Sequence, residues 1–203
     1  MLFNSYIFLF LFLPLALAGW YLLNRFRQYK LAQGYLIGMS LWFYAYYNVS
    51  FLWVITGSCL FNYGISFLLH RKNTPQMRRI ALAVGCIGNL GALGYFKYCN
   101  FFLENINSLF HADFQLKNIL IPLGISFFTF QQIAWLVDSF RMETGDYSFW
   151  DYFLFTVYFP KIAMGPILLH GEFIPQLKDP SRLKADSRNM AEGLMILAVG
   201  LFK

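Results

Sequence analysis

Lys161 is the charge in this sequence that is hardest to place by accident. It lies inside the apolar run Tyr152 to Leu169, next to Pro160 and ahead of Gly165-Pro166. A lysine in the bilayer core costs about 2.5–3.5 kcal/mol on insertion scales. Two readings follow. Either the ammonium faces a polar cavity, where it could pair with a thioester, a phosphate or a carboxylate, or the run dips only as far as the headgroups. His170 closes the same run after GPILL, and an imidazole there could bind or position a polar group; the plainer alternative is a structural or headgroup-level role. Gln131 and Gln132, with Asp138 and Arg141 downstream, make a dense polar line that could be one wall of a channel. Lys161, His170, Gln131 and Gln132 are therefore the candidate tunnel-lining residues.

Other polar residues have blander explanations. His70 flanks an apolar run beside Arg71 and Lys72, and His111 is an ordinary loop residue near Asp113. Asn62 and Asn89 sit within apolar segments, where such groups hydrogen-bond across helices. Gly85, Gly88, Gly91 and Gly94 recur every third residue and suit close helix packing. The histidines and Cys59, Cys86 and Cys99 show no metal-ligand spacing, so no metal is expected. There is no G-x-S-x-G elbow and no phosphate-binding glycine loop. These readings assign no catalytic residue.

What must position the candidates is a membrane fold. Of 203 residues, 58% are apolar, 21% aromatic and only 13% charged, against about 25% charge in soluble domains. The net charge of +6 is parked between long uncharged runs, which argues for a bilayer and against nucleic acid. Apolar segments run at about 6–23, 31–47, 51–69, 80–96, 119–137, 152–169 and 190–203. They are continuous and do not alternate, so the expectation is an all-α polytopic protein and no β-barrel. No basic residue precedes Arg25, so the first segment reads as a retained span with the N-terminus outside. Pro14 should kink it.

The basic loops at 25–30 and 70–79 should then be cytoplasmic. Full crossing by both later segments would put acidic 138–151 inside and basic 171–188 outside, the reverse of the positive-inside rule. One of the two is therefore expected to be re-entrant, and 152–169, broken by Pro160 and Gly165-Pro166, is the better candidate. Non-helical backbone at that depth survives only in protein or beside a polar cavity. The last run is short for a span, and the chain is expected to be the N-terminal part of a longer protein.

Four stretches, MLFNSYIFLFLFLPL at the start, GYFKYCNFFLENIN at 94–107, PLGISFFTFQQIAWLVDSFR at 122–141 and YFPKIAMGPILLHGEFIPQL at 158–177, resemble the membrane-bound O-acyltransferase family. The likeness is to its bacterial branch of alginate O-acetylation and teichoic-acid D-alanyl transfer proteins. It implies helices around a tunnel, through which an acyl group passes to a hydroxyl acceptor across the bacterial inner membrane. The donor would be a substrate, acetyl-CoA or an acyl-carrier thioester, with no bound cofactor. The acceptor would be alginate or another secreted or cell-envelope polysaccharide, and other membrane or periplasmic proteins of an acylation pathway would be partners. D-alanyl transfer to a teichoic-acid-like polymer is the alternative. The family's catalytic histidine lies in the later half of longer proteins, so no catalytic role passes to His170, and this segment alone should be inactive. A small-solute transporter would want two related halves, which are not seen. A non-catalytic assembly subunit would need no active histidine.

Overall fold

Thr74 and Pro75 show how local sequence sets the helix boundaries. The threonine hydroxyl accepts from Met77 N–H at 3.4 Å, and the proline occupies the first helical position, where its missing N–H has no intrahelical partner to lose. The computed structural model describes residues 3–71, 74–110, 119–162, 168–179 and 182–201, and the regular elements among them are all helical. A π turn, Phe8–Phe12, leads into α1 (Leu13–Arg25). Pro14 stands in the first turn of α1, so its lost hydrogen bond is absorbed in the wider turn before it. Then come α2 (Tyr29–Ala45), α3 (Ser50–His70) and α4 (Pro75–Leu93). A second π turn, Gly94–Tyr98, continues α4 into α5 (Cys99–Phe110), so the helix outruns the apolar segment that predicts it. The chain resumes with α6 (Ile125–Arg141), α7 (Phe149–Val157), α8 (Phe159–Ile162), α9 (His170–Lys178) and α10 (Ser187–Leu201). His111 and the Gly165-Pro166 pair lie outside the described residues.

Among the described residues, Phe8–Arg25, Ser50–His70 and Pro75–Leu109 are long and apolar enough to cross a membrane. Their outer faces carry large apolar side chains such as Trp53, Ile87 and Leu60, all exposed, which water would not tolerate as a continuous surface. The chain is an all-α membrane protein. Helix α6 packs against α3 and α4, while α2 packs against α1, α3, α7 and α8. Phe12, Phe43 and Phe159 pack in tilted and edge-to-face pairs where the first π turn, α2 and α8 meet, with ring centroids 5.0–5.8 Å apart. Of the aromatic run at 42–47, Trp42, Tyr46 and Tyr47 are exposed, but Phe43 and Tyr44 turn inward. Only part of that run can form a headgroup belt.

The glycine face of α4 is also only partly used. A methyl at Gly85 would meet Leu136 at 2.5 Å and one at Gly88 would meet Phe61 at 2.8 Å, whereas Gly91 and Gly94 have nothing within 4 Å. Glycine therefore permits close approach only at Gly85, against α6, and at Gly88, against α3.

The charge conflict in the loops has a geometric answer. Asp151 accepts from Gln33 at 2.9 Å and from Lys178 at 2.7 Å. His170 Nε2 lies 3.1 Å from Asp138, and His70 Nε2 lies 2.7 Å from Thr144 Oγ1. Acidic 138–151 and basic 171–188 therefore meet at one face, together with the first turn of α2 and the end of α3. The broken segment between them starts and finishes at that face.

Candidate functional site

Pro160 decides the shape of this segment. It has no N–H to give Thr156 O, and its ring would strike that carbonyl if α7 continued. The helix stops, and Tyr158 takes an extended conformation (φ −55°, ψ 113°) before the short turn of α8. Backbone groups freed by such a break must find other partners inside a membrane. Gln131 Nε2 donates to Phe155 O at 2.9 Å, and Phe159 N–H donates to Ser40 Oγ at 3.3 Å. Helices α6 and α2 thus supply the side chains that stabilise the break. Gly124 makes room for it: with φ +69°, a methyl there would lie 2.0 Å from Ile162 O.

Beyond the break sits Lys161, only 5% exposed. Its Nζ lies 3.6 Å from the Phe155 ring centroid and 4.8 Å from that of Phe173, and has no hydrogen-bond partner. Two aromatic faces offer a cation roughly 2 kcal/mol or somewhat more when desolvated, which does not replace the three hydrogen bonds an ammonium makes in water.

His170 opens α9 and is buried against Trp135 and Tyr147, at 5.1 and 5.8 Å between ring centroids. Its Nε2 faces the Asp138 carboxylate at 3.1 Å and its Nδ1 has no partner. A carboxylate in that position orients the ring. With Nε2 as donor, Nδ1 keeps a free lone pair that can accept a proton or a hydrogen bond. Trp135 Nε1, in the same aromatic box, is also buried without an acceptor. Phe155 joins the two parts, since its ring contacts Lys161, Trp135 and His170.

Gln132 belongs elsewhere. Its Oε1 accepts from Ser58 Oγ at 2.7 Å and Asn62 Nδ2 at 3.0 Å, and its Nε2 reaches Cys59 Sγ at 3.6 Å. Asn62 and Asn89 exchange amide hydrogen bonds at 3.1 and 2.6 Å. These groups tie α3, α4 and α6 together. The two glutamines, adjacent in sequence, are therefore split: Gln131 serves the break and Gln132 the helix seam. His70 is satisfied on both ring nitrogens, by Ser66 O and Thr144 Oγ1.

Two carboxylates at this site were not among the candidate residues, although Asp138 was read as part of the polar line of α6. Asp138 is the partner of His170 across 32 positions, for which the chain carries no local signal. Asp151 does carry one: the spacing of Ser148 and Asp151 is that of a capping box, and both of its hydrogen bonds are present. Burial alone would raise the Asp151 carboxyl. Hydrogen bonds from Lys178, Ser148 and Gln33 outweigh it and hold the group below its ordinary value. No group of three or more potential metal ligands occurs among the described residues.

The chain is 36% identical over 229 aligned residues to the peptidoglycan O-acetyltransferase of Helicobacter pylori, covering 100% of the chain and 44% of that protein. It is 34% identical over 183 residues to the probable alginate O-acetylase AlgI of Pseudomonas aeruginosa, covering 87% of the chain and 34% of the relative. For the probable AlgI of Pseudomonas putida the figures are 34% over 188 residues, 88% and 37%. The chain thus spans between a third and a half of the length of these relatives. No family model and no solved structure matches it. Along most or all of its length, and through the four motifs, the chain is similar to these O-acetylating relatives and resembles the N-terminal part of the membrane-bound O-acyltransferase family.

Proposed function

We propose that this chain works as part of a membrane O-acetyltransferase that esterifies hydroxyls of a cell-envelope or secreted glycan, of the peptidoglycan or alginate kind named for its relatives. The observation that carries the reading is Lys161, whose buried Nζ has no hydrogen-bond partner just beyond the point where the helix breaks. Such a group suits a water-poor passage through which a reactive thioester must travel without hydrolysis.

In the transfer, the acceptor oxygen attacks the thioester carbonyl carbon. A C–O bond forms and the C–S bond breaks, the hydroxyl proton goes to a general base, and the sulfur leaves as thiolate. Lys161 serves as the cation that steadies charge developing on the carbonyl oxygen or the sulfur. Gln131 and Ser40 hold the broken backbone that presents it, and His170 with Asp138 orders the polar end of the passage. The base itself is assigned to no residue of this chain. The donor, acetyl-CoA or an acyl-carrier thioester, is a substrate.

In this reading the protein lies in the bacterial inner membrane with Met1 outside. The 25–30 and 70–79 loops face the cytoplasm, and 138–151 and 171–188 share their side. Membranes containing the full-length protein should convert a labelled acetyl thioester and a glycan acceptor into alkali-labile O-acetyl ester. Incorporation of D-alanine in place of acetate would move the protein to the teichoic-acid branch. Labelling of a cysteine at position 75 from outside intact cells would reverse the orientation.

A further inference from the structure

Helix α1 ends on a residue that does not favour the ending. Arg27 N–H donates to Asn24 O at 2.9 Å and Gln28 N–H to Leu23 O at 3.1 Å, with Arg27 at φ +58°. This left-handed position is usually taken by glycine, and here it holds an arginine. Immediately after it, α2 starts with no side-chain cap and no acidic residue in its first turn. The open N–H groups and positive end of a 17-residue helix thus lie in the same turn as Arg25, Arg27 and Lys30. The negative end of α1 accounts for a cation there, but not for strain at Arg27 or for the uncapped start of α2.

A cavity of about 820 Å³ opens beside this turn, lined by Arg25, Arg27 and Lys184 and by no carboxylate. Ala18, Tyr21 and Ala185 line both this cavity and a groove of about 610 Å³ between α1 and α10, whose walls are apolar side chains such as Leu13, Leu17 and Leu194. Asn24, 6% exposed, lines the basic cavity, and its Oδ1 has no partner. No residue of α10 is buried, so protein does not close the groove among the described residues.

The geometry points to a binding site for an anionic glycerophospholipid. Its phosphate sits among Arg25, Arg27, Lys184 and the start of α2, and one acyl chain fills the α1–α10 groove. A soluble anion would leave the groove unused, and a neutral lipid would leave the cations unmatched.

Native mass spectrometry of the full-length protein, released from discs containing phosphatidylglycerol and phosphatidylcholine in equal amounts, tests this. Phosphatidylglycerol should be retained about tenfold over phosphatidylcholine, and the combined variant R25Q/R27Q/K184Q should lose that preference. Arg27→Gly is the informative single change. It relieves the left-handed strain, so the melting temperature should hold or rise, while phosphatidylglycerol retention falls. Leu194→Trp, which narrows the groove, should lower retention with the cations intact. Unchanged retention in R27G and in the combined variant overturns the headgroup site. Displacement by soluble pyrophosphate, equal in wild type and L194W, would show a site for soluble phosphate esters and overturn the lipid.

Discussion

Helix α6 carries two clusters of buried polar groups, and they obey opposite rules. On one side Gln132, Ser58, Asn62 and Asn89 saturate one another across α3, α4 and α6. On the other, Lys161 Nζ, His170 Nδ1 and Trp135 Nε1 are buried without partners inside an aromatic box. A satisfied network rigidifies and needs nothing further, whereas an unsatisfied buried polar group is costly and calls for a use outside the chain. The seam therefore reads as glue and the box as a site. Position in the sequence does not separate them, since both are polar groups set in apolar helices. Saturation does.

The strongest challenge to that division is Lys161→Met. It keeps the length and removes the charge, so abundance in the membrane should hold or rise. Acetyl transfer by the full-length enzyme should drop about a hundredfold, the scale of losing one group aimed at developing charge. Wild-type rate at wild-type abundance would make Lys161 a structural cation and the box a second seam.

Gly124→Ala attacks the box through its backbone. The methyl would collide with Ile162 O, and the residue would also be left at positive φ. Stability should fall by about 2–3 kcal/mol, with α8 displaced and activity lost together with fold. A silent substitution would mean that the close approach of α6 to α8 does not shape the break.

In the seam the expected pattern is different. Asn62→Leu strands Asn89 and one acceptor site of Gln132, and should cost about 1–2 kcal/mol with the specific activity of folded protein unchanged. The double variant N62L/N89L should recover part of that loss, because the amide of Asn89 that N62L strands is removed with it. Thermal melts of the single and double variants, read beside acetyl transfer, check both halves. A kinetic defect in N62L at normal stability would merge the two clusters.

How much of this was legible beforehand depended on range. Continuous apolar runs place the helices, because a bilayer asks for length and hydropathy and both are local properties. Pro160 fixes the break for the same reason. Asn62 and Asn89 were legible as interhelical bonds, since buried amides have few other uses. The separate fates of Gln131 and Gln132 were not, because a turn of about 100° per residue points neighbours to different helices and only the packing says which. The Asp138–His170 pair spans two loops and a broken helix, and nothing near either residue announces the other. The conflict of loop charges was visible in the sequence, and its resolution needed the geometry that sets acidic 138–151 against Lys178 and His170.

Asp151 gives the smallest expected effect and the clearest control, because it is a buried charge at the rim of the box whose partners are all present. Its carboxylate holds Lys178, Gln33 and its own helix start, and these contacts keep its pKa below the ordinary value. A depressed carboxylate contributes stability that is fully present above the unfolded pKa and is lost as pH falls through the folded one. Wild type should therefore melt at a constant temperature from pH 7 down to about 4.5 and lose stability below about pH 4. Asp151→Asn should melt lower across the neutral range by about 1 kcal/mol or less, since Lys178 is half exposed and water screens the pair. That difference should close as the pH falls. A gap that stays constant through pH 3 would mean the carboxylate acts only as a hydrogen-bond acceptor of the right shape.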